Sequence, residues 1–334
     1  MTLLYVLLAG MLSAIVVHFM MHRANHLGLV QHANERSSHT RCTPTSGGLG
    51  IAVGTIAGGM FACLGDLSLV LVLTLALIIA LVGLVDDRWP LPAYLRLVVQ
   101  FGALGLLIIS SGAAFLIAGD SGGIGLALAA VALIVAGVWW VNLFNFMDGI
   151  DGFAASEALC MLIGAVGLTI LRGGVLPTLP LFILMLGTGA ATLSFLAFNW
   201  PPAKIFMGDV GSMFLGFLLF ALAVLTAKSG WLSLWQWLIL GGVFAADATT
   251  TLVQRLIGGK RAMQAHKSHA YQRLSRRWNG HQPVTLTLIA VNFLFIFPLS
   301  WAAGQWAPYA WAIAVCTYAV LGLCAYGLGA GKQG

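Results

Sequence analysis

Long apolar runs separated by short polar stretches dominate this chain, and their length sets the fold class. About 20 consecutive apolar residues are needed for a helix to cross the hydrocarbon layer of a bilayer. Eleven runs approach that length, over 3–21, 48–64, 68–85, 97–118, 123–141, 154–171, 179–198, 213–227, 233–252, 284–301 and 308–328. The pattern predicts an all-α, polytopic membrane protein of about eleven spans, organised as a single domain over 1–334. The first run has no basic residue before it and no small-residue cleavage site after it. It therefore reads as a retained span and not a signal peptide.

Composition agrees with the pattern: 60% of residues are hydrophobic, only 8% are charged, and the mean hydropathy is +0.96. A soluble globule, with an apolar share nearer one half, is excluded. The five cysteines (42, 63, 160, 316 and 324) lack paired spacing, and four fall inside spans, so neither a disulfide framework nor a zinc site is indicated.

Charge fixes the expected orientation. With eleven spans, Arg172 and Lys228 fall on one side and the other fourteen basic residues on the opposite side. The positive-inside rule then makes the crowded side cytoplasmic and puts the N-terminus outside. This asymmetry accounts for the net charge of +6 without a nucleic-acid partner. Of ten acidic residues, only Asp66 and Asp120 fall in outer turns, whereas Asp86, Asp87, Asp148, Asp151 and Asp209 gather at the basic face.

The densest of these polar stretches runs from Asn142 to Gly152, Asn-Leu-Phe-Asn-Phe-Met-Asp-Gly-Ile-Asp-Gly. If the chain is helical there, Asp148 and Asp151 share a face, while Gly149 and Gly152 leave bare backbone beside them. Ionisable groups near hydrocarbon are costly and mark cavities or ion sites. Glu157, in the following span, has two open readings: it faces the same cavity or makes an interhelical hydrogen bond.

Four further stretches carry chemistry, each with two readings. The loop 22–47 contains Arg36-Ser-Ser-His-Thr-Arg41-Cys-Thr-Pro-Thr-Ser, which suits a phosphate or a surface of anionic lipid. Asp86-Asp87 at the end of the third run suits a magnesium ion shared with phosphates, or a turn in which an aspartate pairs with Arg88. Asp209, between Gly208 and Gly211, precedes a helix whose free amides would face an anion, or it caps that helix. His266 and His269, three apart, suit a metal, a proton or a phosphate, or a solvated face.

Carboxylates beside Arg, Lys and His on one membrane face point to phosphoryl transfer between a cytoplasmic nucleotide substrate and a molecule in the bilayer. No Gly-x-x-x-x-Gly-Lys-Ser/Thr loop is present, which argues against an ATP-driven pump. A transporter or flippase of a lipid-linked or anionic solute is the competing class. Against it stand the absence of an inverted repeat and the placement of the acids at one face instead of mid-membrane.

The ordered set Thr43-Pro-Thr-Ser-Gly-Gly48, Asp86-Asp87, Asn142 to Gly152, Asn199 to Ser212 and His266 to Arg273 resembles the polyprenyl-phosphate N-acetylhexosamine-1-phosphate transferases over about residues 1–300. That superfamily also contains the enzyme that makes the first lipid intermediate of peptidoglycan. The resemblance implies an eleven-span fold in a bacterial inner membrane and a magnesium-dependent reaction, with manganese able to substitute. In it, undecaprenyl phosphate attacks the β-phosphate of a UDP-sugar and UMP leaves.

By motif, the resemblance implies that Asp209 is the principal metal ligand and that Asp86 and Asp87 lie at the metal and acceptor phosphate. It leaves open whether either one assists deprotonation. Asp148 would support the diphosphate and the metal, and Asn145 would order its loop. Gly149, Asp151, Asn199 and Phe206 would hold uridine, Arg41 occupies the basic position before Thr-Pro-Thr, and His266 and His269 would act at the phosphates. A homodimer is implied by the family alone. Two departures from the muropeptide branch matter: His-Lys-Ser-His replaces a run of adjacent histidines, and Asp247 with Arg255 resembles the hexosamine branch. The expected donor is a UDP-N-acetylhexosamine, with 6-deoxy sugars included, feeding O-antigen or another lipopolysaccharide or surface glycan. The muropeptide donor is the nearest alternative.

Overall fold

A computed structural model describes residues 2–31, 43–119, 121–173, 179–259 and 267–332. In chain order the elements are α1 (Thr2–Leu27), β1 (Val30–Gln31), β2 (Thr43–Pro44), α2 (Gly48–Cys63), α3 (Leu67–Arg88), α4 (Ala93–Ser111) and α5 (Phe115–Ala118). They continue with α6 (Gly122–Phe146), α7 (Phe153–Arg172), α8 (Pro180–Asn199), α9 (Gly208–Lys228), α10 (Leu234–Leu240) and α11 (Gly242–Ile257). The last are α12 (Ala270–Arg277), α13 (Gln282–Val291), a π-helical turn Asn292–Ile296, α14 (Phe297–Gln305), a 3₁₀ turn Ala307–Tyr309 and α15 (Ala310–Gly327). The two short strands pair antiparallel, Val30 opposite Pro44.

Helix occupies every one of the eleven apolar runs. Among the described residues, nine helical stretches are long and apolar enough to cross a membrane, and a tenth is reached if the bent pair α10–α11 is one span. The remaining run, over 48–64, is the 16-residue helix α2, about 24 Å long at 1.5 Å per residue. The straight span expected over 233–252 is broken: α10 and α11 meet at 72°. Gly241 lies at the break, where a Cβ would come within 2.5 Å of the Trp140 ring. Glycine tolerates both the bend and that contact.

Burial identifies the centre of the bundle. In α9, 89% of the most apolar window is inside the protein, against 22% for α1 and 28% for α4 and α6. Helices α3 and α6 flank α9, while α1 packs on α2 and α8. On α1 the exposed residues Leu4, Leu7, Met11, Ile15 and Phe19 recur every three or four positions and form an outward apolar stripe. Inside, Thr169, Thr188, Thr192 and Thr226 each return their hydroxyl to a carbonyl four residues earlier, so no partner from water is required. Glu157 accepts from Asn292 Nδ2 at 2.6 Å, with both residues buried. Of its two readings, the interhelical hydrogen bond is therefore the one observed.

Candidate active site

The helix ends that carry the polar motifs converge on one end of the bundle. Helix α3 brings Asp86 and Asp87, α4 brings Arg96, α6 brings Asn142 and Asn145, and α9 begins with Gly208 and Asp209. The turn 147–152 and the loop 200–207 complete the surface.

Asp87 is built into this framework. Its Oδ1 accepts the backbone N–H of Asp209 at 2.7 Å, its Oδ2 accepts that of Val210 at 3.4 Å, and the Ser46 hydroxyl donates to Oδ2 at 2.6 Å. Asp87 thereby caps α9 from a neighbouring helix and occupies amides expected to face an anion. The cap expected from Asp209 itself is not formed, since Asp209 lies inside the first turn and Met207 is at the capping position. Ser46 is fully buried and holds φ +64°, a conformation that costs a non-glycine residue about 1–3 kcal/mol unless its surroundings impose it.

Backbones approach closely here because side chains are absent. A Cβ on Gly83 would come within 2.5 Å of the Asp209 carbonyl oxygen, and one on Gly48 within 2.2 Å of Gly211 Cα. Gly208 adopts φ +75°, which only glycine occupies without strain.

With its backbone amide engaged by Asp87, Asp209 is left to use its side chain. Oδ1 accepts from Asn145 Nδ2 at 2.9 Å, and Oδ2 lies 3.3 Å from Arg96 Nη1. The same Arg96 nitrogen is 2.5 Å from Asp86 Oδ2, and Asp86 Oδ1 accepts the Leu91 N–H at 2.6 Å. Arg96 thus bridges two carboxylates that would otherwise repel. Among the described residues no aspartate pairs with Arg88, which donates to the Leu27 carbonyl and covers the Trp89 ring.

The turn after α6 departs from the helical expectation. Helix α6 ends at Phe146, so Asp148 and Asp151 do not share a helix face. Asp148 is half-buried; burial, followed by the charges of Asp209, Asp87 and Asp151, pushes its carboxyl well above the usual carboxylate range. Asp151 is buried, accepts the Ala203 N–H at 3.0 Å and lies 3.2 Å from His281 Nδ1. Asn199 is also buried: it accepts from Gly152 N–H at 2.9 Å and donates to the Ile205 carbonyl at 2.8 Å. In this structure both residues hold the walls of the site together. Phe206 is half-buried, and its N–H donates to the Pro44 carbonyl at 2.9 Å.

Helix α12 reaches the same turn. Asp247 accepts the Ala270 and Tyr271 amides at 2.9 and 3.0 Å, and lies 3.5 Å from His269 Nδ1. Tyr271 donates its hydroxyl to the Phe146 carbonyl at 3.0 Å and stacks on Phe153. A Cβ on Gly149 would come within 2.2 Å of that hydroxyl, so the approach seen at this glycine is by Tyr271. Burial, with the charges of Asp247 and Asp148, holds the Tyr271 phenol well above its usual range and keeps it a neutral donor. Arg41 and His266 lie outside the described residues.

Arg96, Ser46, Tyr271 and His281 were not singled out as site residues by sequence reasoning. For Arg96 a signal existed: the Trp-Pro-Leu-Pro turn after Asp86-Asp87-Arg88 reverses the chain, so a base ten residues later returns to the carboxylates.

A multi-helix membrane bundle with a carboxylate-rich site at one end defines a class of integral membrane enzyme, and comparison with known proteins sharpens it. The family model for Glycosyl transferase family 4 matches residues 69–227. A probable undecaprenyl-phosphate N-acetylglucosaminyl 1-phosphate transferase of Bacillus subtilis is 31% identical over 80% of this chain and 76% of its own length. A decaprenyl-phosphate N-acetylglucosaminephosphotransferase of Mycobacterium tuberculosis is 29% identical over 84% and 78%. A phospho-N-acetylmuramoyl-pentapeptide-transferase of Pelotomaculum thermopropionicum is 30% identical over 76% and 82%. The chain belongs to the polyprenyl-phosphate N-acetylhexosamine-1-phosphate transferase family.

Proposed function

We propose that this protein transfers an N-acetylhexosamine-1-phosphate from a UDP-sugar to undecaprenyl phosphate at the cytoplasmic face of the bacterial inner membrane. An acceptor phosphate oxygen forms a bond to the β-phosphorus of the donor. The bond from that phosphorus to the oxygen bridging toward UMP breaks, and UMP leaves with the electron pair. The product is a lipid-linked diphosphosugar that starts a surface glycan such as O-antigen, with 6-deoxy sugars among the donors.

The observation that carries this reading is the joining of Asp86 and Asp209 through Arg96, beside Asp87 and Asp148. Such a site combines carboxylate oxygens with a fixed guanidinium, the pairing expected around a metal-bound diphosphate. The donor set suits magnesium. Among the described residues no three His, Cys, Asp or Glu side chains form a ready cage, and magnesium commonly takes one or two carboxylates and completes its shell with water and phosphate. Asp209 would hold it with Asp86 and Asp87, and manganese could substitute. When bound, the ion would neutralise charge on the diphosphate.

The chain's own residues supply the rest. Asn145 orients the Asp209 carboxylate, Asp87 locks the helix carrying it, and Arg96 presents positive charge toward the transferred phosphate. Asp148 supports the same region, Gly149, Asp151, Asn199 and Phe206 form the uridine side, and His269 acts with Arg41 and His266 at the phosphates. At neutral pH the acceptor is already an anion, so the reaction needs no strong base.

The test is UMP release by purified protein with undecaprenyl phosphate, magnesium and a panel of UDP-N-acetylhexosamines together with UDP-N-acetylmuramoyl-pentapeptide, beside Asp209→Asn. Release that depends on lipid and metal, and is lost in the variant, supports the proposal. Release only from UDP-N-acetylmuramoyl-pentapeptide would assign the muropeptide branch instead.

A further inference from the structure

A second basic feature lies away from the carboxylates, where α12 meets the end of α15. A cavity of about 190 Å³ is lined by Arg273, Leu274, Arg276, Arg277 and Leu328. It is several times the volume of a water, about 30 Å³, and three of its five lining residues are guanidinium bearers. The scaffold is fixed on both sides. Arg273 Nη1 donates to the Lys332 carbonyl at 3.1 Å, Arg276 Nη2 donates to the Lys267 carbonyl at 2.9 Å, and Gly331 N–H donates to the Ser268 carbonyl at 2.8 Å. A guanidinium has five N–H donors, so the bonds made by Arg273 and Arg276 each use one of several.

We propose that this cavity binds the phosphate of an anionic membrane lipid, with the glycerol headgroup in the pocket and the acyl chains along α15. Three like charges around one space repel until an anion enters, and arginine pairs with phosphate oxygens two at a time. The position selects a lipid as the source. Leu328 directly follows the last membrane-crossing helix, and the outward residues nearby are Leu323, Tyr326 and Trp278, which are 71%, 48% and 43% exposed. Aromatic side chains of this kind favour the headgroup level of a bilayer, and basic pockets between membrane helices suit anionic headgroups. The same short helix carries Tyr271 at its other end, bonded to Phe146 beside the carboxylates. Lipid binding therefore anchors α12 at the membrane surface without contacting the reacting groups. This inference does not depend on the transferase reading.

The experiment is thermal denaturation of the purified full chain in detergent with dioctanoyl phosphatidylglycerol, dioctanoyl phosphatidylcholine or inorganic phosphate. Parallel samples carry Arg276→Gln/Arg277→Gln, or Leu328→Glu, which puts a carboxylate at the cavity wall and leaves the arginines intact. The expected result is a rise of about 4 °C with the phosphatidylglycerol alone, lost in both variants, each compared with its own lipid-free baseline. Native mass spectrometry then counts one retained phosphatidylglycerol on the parent chain. No shift in the parent, or an equal shift in either variant, overturns the proposal. A matching shift with phosphatidylcholine would mean that tails alone bind, and a matching shift with inorganic phosphate would assign the cavity to a free anion. Either outcome removes the lipid assignment.

Discussion

Asp87 holds the backbone amide of Asp209 at 2.7 Å, so the helix carrying one carboxylate is capped by the other. The two residues are 122 positions apart and belong to different helices, α3 and α9. Capping fixes the start of α9, and with it the direction in which the Asp209 side chain leaves the backbone. Fold and chemistry therefore meet in one hydrogen bond.

Substitutions at Asp87 should separate these roles. Asp87→Asn keeps the shape and an oxygen acceptor but removes the charge, whereas Asp87→Ala also removes the cap, a loss of about 0.5–2 kcal/mol. Both variants are expected to lose UMP release, and only Asp87→Ala should melt well below the parent. A normal melting temperature for Asp87→Ala would remove the capping assignment.

Arg96 spans Asp86 and Asp209, so its loss leaves facing carboxylates without their shared cation. Arg96→Gln should lower turnover on the order of 100-fold, while Arg96→Lys, which keeps charge without the planar fork, should retain part of it. Steady-state rates against donor concentration decide this. Full turnover in Arg96→Gln would place the guanidinium outside the reaction.

Asp148 predicts a stability gain bought by inactivation. Its carboxyl is raised by burial and by Asp209, Asp87 and Asp151, so the folded protein binds that proton more tightly than the unfolded chain does. The associated stability is complete below the ordinary carboxylate pKa, about 4, and is lost as pH rises through the folded value. Asp148→Asn removes that loss. The variant should melt above the parent at neutral pH, with the difference shrinking toward pH 4, and should release little UMP. An unchanged difference across pH would sink the argument.

The Glu157–Asn292 bond joins α7 to the π-helical turn before α14. Glu157→Gln preserves an acceptor and should be nearly neutral. Glu157→Ala strands a buried donor at a cost of about 1–3 kcal/mol, and Glu157→Leu/Asn292→Leu should recover part of it. A double-mutant cycle in detergent reads the coupling; additive single effects would show that the bond contributes nothing.

The spans were legible because hydrocarbon demands long apolar runs whatever the tertiary arrangement. The break at Gly241 was not, because a straight and a bent helix have the same apolar composition, and the Trp140 ring beside that glycine comes from a distant helix. The gathering of Asp86, Asp87, Asp148 and Asp209 at one end followed from loop order. The capping by Asp87 did not, since a cap supplied by another helix leaves no local spacing to read. Asp151 and Asn199 show a related limit: their residue types mark a polar site, but only the fold reveals their bonds to Ala203, Gly152 and Ile205.

The close seating of Gly83 on the Asp209 carbonyl, and of Gly48 on Gly211, has an evolutionary consequence. A single added methyl group at either position would force backbone at the start of the central helix, or the helix that carries the methyl, to shift, although neither residue has any reactive atom of its own. Freedom to vary is therefore small at two positions that a chemist surveying functional groups would pass over. Here a narrow mechanical tolerance rests on hydrogen atoms of two α-carbons.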